Sequence, residues 1–382
     1  MIHREAENTL RELAKGYPIL ALTGPRQSGK TTLARAVFQA HPYVTLENPV
    51  QRELAQTDPQ SFLRKYGKGA IIDEAQQCPE LFSWLQGIVD EEQRPGHFIL
   101  TGSQQFGLLS GITQSLAGRV ALLNLLPFTA NELRQADQLP VTLDETLHKG
   151  SYPPIYDRQL DPSTWYANYV QTYLERDVRQ LLNVRDLNQF QRFLRLCAGR
   201  SGQLLNLDAL GDDAAISHNT ARDWISVLEA SYIVHRLPPQ HRNFNKRLVK
   251  TPKLYFYDTG LCSWLLGIET PTQLATHPQR GALFETWVIG EFLKKRLNTA
   301  KPSNLTFWRD RSGHEVDLLI EKAGRLQAVE IKSGATPTRD ALRGLEKWQQ
   351  VTGNEADRSC LVYGGDETQE RTNVDFLSWR DI

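Results

Sequence analysis

Through the first part of the chain, short unbroken apolar runs alternate with stretches whose apolar positions recur every third or fourth residue. The runs at 19–22, 43–46, 69–72, 97–100 and 120–123 read as buried strands, because a strand covered on both faces needs no polar alternation. The helical stretches between them complete the rhythm of a parallel sheet flanked by helices from residue 17 to about 135. After the break Ser151-Tyr152-Pro153-Pro154 the pattern turns helical, over 163–183, 187–199, 206–214 and 219–230. From Lys253 strands return, with helices at 281–297 and 338–352. The expected fold class is α/β with a helical middle, in three domains: 1–145, 146–250 and 251–382.

Composition adds little to this picture. Of 382 residues, 40 % are apolar and 23 % charged, the ordinary balance of a globular protein. Lys plus Arg number 44 and Asp plus Glu number 44, so any surface suited to nucleic acid must be local. Cys78, Cys197, Cys262 and Cys360 are scattered, without Cys-x-x-Cys pairs or zinc spacing, which points to a reducing compartment. Residues 1–16 are charged and helix-like rather than signal-like, and the run 19–22 is too short to cross a bilayer. A cytoplasmic protein without a membrane partner is expected.

The first chemistry-bearing segment is Gly24-Pro25-Arg26-Gln27-Ser28-Gly29-Lys30-Thr31, which fits G-x-x-x-x-G-K-[ST]. It follows an apolar run and opens a helix that begins with Thr32, the context in which backbone N–H groups can curl around phosphate oxygens. Lys30 would reach the β- and γ-phosphates of ATP, and Thr31 would hold Mg²⁺. The later strand Ala70-Ile71-Ile72 ends in Asp73-Glu74. Asp73 would bind the same ion through water, and Glu74 would orient or deprotonate the attacking water. Thr101-Gly102-Ser103 closes a third strand, either to sense the γ-phosphate or as an ordinary strand exit. Arg119 is either an arginine finger for a neighbouring subunit or a structural arginine.

In the middle region, 207–210 and 216–228 read as helix-turn-helix, with Ser217 or Asn219 as the cap of the second helix. Ile216, Trp224 and Leu228 fall on one face of it. The segment 235–257 then carries Arg236, Arg242, Lys246, Arg247, Lys250 and Lys253 with no acid, interleaved with Phe244, Tyr255 and Tyr257. Together these read as a winged helix with a basic wing that contacts a phosphate backbone, or as a packing module whose basic run pairs with acids of another domain.

The C-terminal part holds Glu315-Val316-Asp317 and Glu330-Ile331-Lys332 on either side of Lys322-Ala323-Gly324. A hairpin folded about Ala323 sets Asp317 opposite Glu330 or its neighbour, and strand alternation puts Glu330 and Lys332 on one face. Asp317 and Glu330 would hold Mg²⁺, Lys332 would position the water, and Glu285 on a preceding helix is a further acidic ligand. This is the pattern of the PD-(D/E)xK nucleases; a solvated charged hairpin and an inactive nuclease fold are the alternatives.

With these residues in view, the chain resembles the bacterial and archaeal AAA-type ATPases that carry the domain of unknown function 4143 at their C-terminus. The carriers are the segment from Gly24 to Thr32, Asp73-Glu74-Ala75-Gln76, Leu100-Thr101-Gly102-Ser103 and Ser115-Leu116-Ala117-Gly118-Arg119. Later come Tyr173-Leu174-Glu175-Arg176-Asp177, Lys253 through Leu261, and Trp308-Arg309-Asp310. That resemblance implies an AAA-type ATPase core followed by a restriction-endonuclease-like domain. The last quarter is also similar to archaeal Holliday-junction resolvases, at Gly281 to Glu285, Arg309 to Gly313, Glu315 to Asp317 and Glu330 to Lys332. The expected function is an ATPase acting on duplex or branched DNA through a Mg²⁺-dependent nuclease-like domain, with a homo-oligomer as a further expectation. A nucleotide-dependent switch or scaffold that binds protein partners is the alternative, and a transcriptional regulator is a third.

Overall fold

The computed structural model describes residues 2–103, 112, 115–174, 187–240, 249–336, 339–353, 356–372 and 374–382. All five early apolar runs form strands: β1 (Ile19–Thr23), β2 (Tyr43–Thr45), β3 (Ala70–Asp73), β4 (Phe98–Gly102) and β5 (Val120–Asn124). They make one parallel sheet in the order β2-β3-β4-β1-β5. Alternate residues of each strand serve opposite faces. Ile19, Ala21, Ile72 and Leu100 join Phe62, Phe82 and Leu85 in one core, while Leu20, Leu22, Ile71 and Ile99 join Leu10, Leu33 and Ala34 in another.

The helices of this part are α1 (Ala6–Gly16), α2 (Lys30–Val37), α3 (Pro49–Thr57), α4 (Pro59–Lys65) and α5 (Leu81–Glu92). Their starts are local chemistry: Asn48 and Asp58 cap α3 and α4 ahead of Pro49 and Pro59. The chain passes from β1 to β2 on one side of the sheet and from β4 past β1 to β5 on the other, and this reversal opens a crevice at the carboxyl end of β1. The loop from Gly24 to Gly29 sits over that crevice.

Next come α6 (Ala130–Gln135), α7 (Leu143–Lys149), α8 (Pro153–Asp157) and α9 (Pro162–Tyr169), which runs into a π-helical turn, Val170–Leu174. The rest of the helix expected at 163–183 lies outside the described residues, as do Glu175, Arg176 and Asp177. The middle region continues with α10 (Leu187–Gly199), α11 (Leu207–Ala214) and α12 (His218–Ala230). Ser217, not Asn219, caps α12, accepting the Thr220 N–H at 3.1 Å. Strands β6 (Val234–Leu237) and β7 (Lys253–Phe256) then pair antiparallel, so the boundary expected at 250 falls inside one ribbon.

The C-terminal part holds α13 (Thr259–Leu265), α14 (Pro271–Leu274), α15 (Arg280–Asn298), β8 (Leu305–Arg309), β9 (Glu315–Lys322), β10 (Arg325–Lys332), α16 (Arg343–Thr352), β11 (Ala356–Tyr363) and β12 (Val374–Ser378). Its sheet runs β12-β11-β10-β9-β8, with β8, β9 and β10 antiparallel and β10, β11 and β12 parallel. The hairpin between β9 and β10 turns on Ala323 (φ 49°) and Gly324 (φ 82°), two left-handed residues as a tight hairpin requires. One continuous apolar core reaches from Ile2 to Ile382 and joins the middle region to the C-terminal part. Among the described residues no helix is long and apolar enough to cross a membrane.

Candidate functional site

The loop after β1 owes its shape to Gly24, whose φ is 144° and where an added Cβ would lie 2.1 Å from the Leu125 carbonyl oxygen. Gly29, at φ 91°, turns the chain into α2 and brings Lys30 and Thr31 to the crevice. A cavity of about 530 Å³ opens there, lined by Arg26, Gln27, Gly29, Lys30, Thr31, Thr32, Glu74 and Ser103 among others. That volume is in the range of small-molecule and cofactor sites.

Inside it the expected residues meet. Lys30 is buried and donates to the carbonyls of Gly24 at 3.0 Å and Pro25 at 2.7 Å. Burial pulls its pKa down to about 8, against the opposing pull of Glu74 and Asp73. Thr31 Oγ1 donates to Asp73 Oδ1 at 2.9 Å, and Thr101 donates to the same oxygen. The Tyr43 hydroxyl donates to Asp73 Oδ2 at 2.8 Å; burial, followed by Asp73, pushes the Tyr43 phenol up to about 12. Glu74 stands in the left-handed region at φ 53° and accepts from Ser103 Oγ at 3.0 Å and from the Gln76 amide. A hydroxyl and a carboxylate in contact are the oxygen donors a hard cation takes, so Thr31 and Asp73 fit Mg²⁺ carried by a nucleotide. Ser28 is fully buried in the loop, and Arg26 reaches Glu47 at 3.9 Å.

Two features of this site were absent from the sequence reading. Arg4, ahead of α1, is buried and donates to Ser28 O at 2.7 Å, Leu126 O at 2.6 Å and Glu132 Oε1 at 3.0 Å, so it ties the phosphate loop to α6. The far wall is built by Ile2, His3, Phe128, Pro153, Pro154 and Arg158. Only the Pro-rich break hinted at it, and there it served as a domain edge. Arg119 lies apart from these residues, as a structural arginine would. It stands at the amino-terminal edge of β5, opposite the end that carries the loop, and is ion-paired with Asp90 at 2.5 Å. A parallel strand places its two ends on opposite edges of the sheet, so Arg119 does not reach the cavity of its own chain.

The second cluster lies in the C-terminal part. The β9–β10 register runs to Val329 opposite Leu318, with Asp317 and Glu330 the next residue of each strand. Asp317 accepts the Ile331 N–H at 2.8 Å, and Lys332 Nζ lies 3.5 Å from Asp317 Oδ2 and 2.6 Å from Glu330 Oε1. Glu285 enters from α15. Burial and then Asp317 raise both the Glu285 and Glu330 carboxyls above the usual range.

The basic segment is corrected here. Lys253 is not on a surface wing: it is 2 % exposed, its ammonium is 2.9 Å from Glu285 Oε1, and it also contacts Glu315. Tyr255 is buried and donates to the same Glu285 oxygen at 2.5 Å. Arg236 pairs with Glu229 at 2.7 Å, Lys250 is exposed, and Arg242, Phe244, Lys246 and Arg247 lie outside the described residues. Among the described residues no group of three or more His, Cys, Asp or Glu is placed to hold a metal ion. Asp317, Glu330 and Glu285 come close enough to act on one another electrostatically, with Lys332 against Asp317 and Glu330 and with Lys253 against Glu285.

Comparison with known proteins divides the chain in three. Residues 16–134 match the AAA domain family, 141–272 a domain of unknown function (DUF8612), and 280–382 a domain of unknown function (DUF4143). Uncharacterized proteins of Mycobacterium tuberculosis and Mycobacterium bovis are each 34 % identical over 372 residues, which cover 95 % of this chain and 80 % of theirs. Among solved structures, a Walker-type ATPase of Pyrococcus abyssi is 18 % identical with a TM-score of 0.48, covering 69 % of this chain and 96 % of that one.

Proposed function

We propose, from the premise that this chain belongs to the family of these mycobacterial proteins and carries an AAA domain ahead of DUF8612 and DUF4143, that it is an ATP-hydrolysing molecular switch. The supporting observation is the meeting of Lys30, Thr31, Asp73, Glu74 and Ser103 around one cavity at the sheet's carboxyl edge. The Gly24–Gly29 backbone binds the phosphates, Lys30 turns from the loop carbonyls to them, and Thr31 with Asp73 holds the ion. Bound Mg²⁺ neutralises charge on the phosphates. Glu74 accepts a proton from the attacking water, and Ser103, now bonded to Glu74, releases that carboxylate when a γ-phosphate draws its hydroxyl away.

A second reading couples the ATPase to DNA. It is supported by α11 and α12 followed by the β6–β7 ribbon, an order that suits a winged helix, and by Asp317, Glu330 and Lys332, which suit a PD-(D/E)xK fold. Charge does not favour it: Asp212 is exposed, Asp208 and Asp213 pair with His218 and Arg200, and Arg222 lies against Asp223, so these residues offer little net positive charge to a phosphate backbone.

Steady-state hydrolysis decides between them, measured for wild type, Lys30→Ala and Glu74→Gln, alone and with single-stranded, duplex and four-way-junction DNA. Mg²⁺-dependent turnover should vanish in Lys30→Ala. Glu74→Gln should bind ATP yet turn over ~100-fold more slowly or worse. A DNA-indifferent rate without cleavage in Mg²⁺ or Mn²⁺ supports the switch. Stimulation by one DNA form, or cleavage lost in Asp317→Ala, would replace it with the second reading.

A further inference from the structure

We infer that the C-terminal carboxylate cluster is neutralised by a cation of the chain itself, the Lys253 ammonium, and is a divalent-metal site only when that side chain is removed. This deepens the switch reading, in which the nuclease-like domain does not cut.

Lys253 opens β7, and β7 is fixed by its pairing with β6 and by a bridge to Leu204. The strand delivers the ammonium to the carboxylates with a side chain only 3 % exposed, close to the face of Phe307. Its contacts are Glu285, from α15, and Glu315, from β9. Tyr255, two residues on and so on the same face of β7, donates to the Glu285 oxygen that Lys253 already holds. Arg309 takes the other Glu315 oxygen at 3.0 Å. Glu285 Oε1 and both Glu315 oxygens are thus engaged by protein donors.

An ammonium and a metal ion compete for the same lone pairs, and two cations this close repel. A tethered ammonium also loses no translational freedom on binding, whereas a free ion does. Glu330 is 6 % exposed, and among the described residues its Oε2 is buried without a hydrogen-bond partner. It stands beside Asp317 on the neighbouring strand, an oxygen with no protein donor at the rim of the cluster. Remove the Lys253 charge and, among the described residues, Glu285, Asp317, Glu315 and Glu330 keep Lys332 and Arg309 as counter-ions, a site with excess negative charge and oxygen donors of the kind hard divalent cations take.

The test is Mn²⁺ titration of the full chain by calorimetry and thermal unfolding, in a Lys30→Ala background without nucleotide so that the first site stays silent. The Lys253-intact protein should show no saturable Mn²⁺ binding that depends on Asp317. Lys253→Met should unfold at lower temperature, bind one Mn²⁺ per chain, and regain about 5 °C at saturating metal. Adding Asp317→Asn should abolish that recovery. Lys253→Gln, smaller and polar, serves if the Met variant does not fold. Asp317-dependent Mn²⁺ binding with Lys253 in place would overturn the inference, as would a folded Lys253→Met or Lys253→Gln that ignores Mn²⁺. Wild-type DNA cleavage would instead overturn the non-cutting reading beneath it, so the two failures are distinguishable.

Discussion

A lysine ammonium buried with no phosphate beside it must find other oxygens, and Lys30 takes those of Gly24 and Pro25. Burial away from water is what lowers its pKa to about 8 from 10.5. Below pH 8 the lysine is charged in both folded and unfolded chains. Between about 8 and 10.5 the unfolded chain keeps a proton that the folded one has shed, so nucleotide-free stability gains from this group as pH rises through that window. ATP reverses the preference, because phosphate charge favours the ammonium. At about pH 9, ATP binding should therefore take up a proton, read by calorimetry in two buffers of different ionisation enthalpy. A binding heat indifferent to buffer at that pH would remove Lys30 as the titrating group.

At the scale of elements, the joint between α12 and β6 reaches back to the phosphate loop. Tyr232, buried at this corner with φ 56°, sets its hydroxyl 2.9 Å from Thr23 Oγ1 and 3.0 Å from Asn124 Oδ1. Thr23 is the last residue of β1, directly before Gly24, so a movement of the loop on binding ATP is expected to reach α12 through this contact. Tyr232→Phe removes one hydrogen bond and should cost about 1 kcal/mol of stability. It should leave ATP affinity within about twofold yet abolish ATP-induced protection of α12 amides in hydrogen exchange. Equal protection in the variant would show that the signal takes another route. The helix ends themselves were legible beforehand, since Ser217 lies in the sequence where a cap must be. The role of Tyr232 was not legible, because neither its corner nor its partner shows in a local pattern.

For the whole molecule, the tie between the C-terminal part and the AAA domain is a buried ion pair on α15. Lys294 contacts Glu291 Oε1 at 2.8 Å and donates to Phe128 O at 2.8 Å and Ser151 Oγ at 3.1 Å. Glu291 Oε2 accepts the Ala130 N–H at 2.8 Å. Lys294→Met strands a buried carboxylate and should lower the unfolding free energy by about 3–5 kcal/mol, with Lys294→Met/Glu291→Gln losing less. Denaturant melts of the three proteins check this; equal losses for the single and double variants would mean that packing, not charge, holds the interface.

The sequence by itself determined the five-stranded sheet, the phosphate loop, Asp73 and Glu74 at the end of β3, and the approach of Asp317 to Glu330. Each follows from rules that act within a short window: unbroken apolar runs, glycines where φ is positive, strand alternation, and a two-residue turn at Ala323-Gly324. The tertiary structure alone decided that Lys253 is an internal counter-ion rather than a basic wing, that Arg119 faces away from the nucleotide, and that Arg4 and Tyr232 brace the loop. A charged or phenolic side chain takes its role from the partner it meets and from the water it loses, and both are set by segments far apart in the chain.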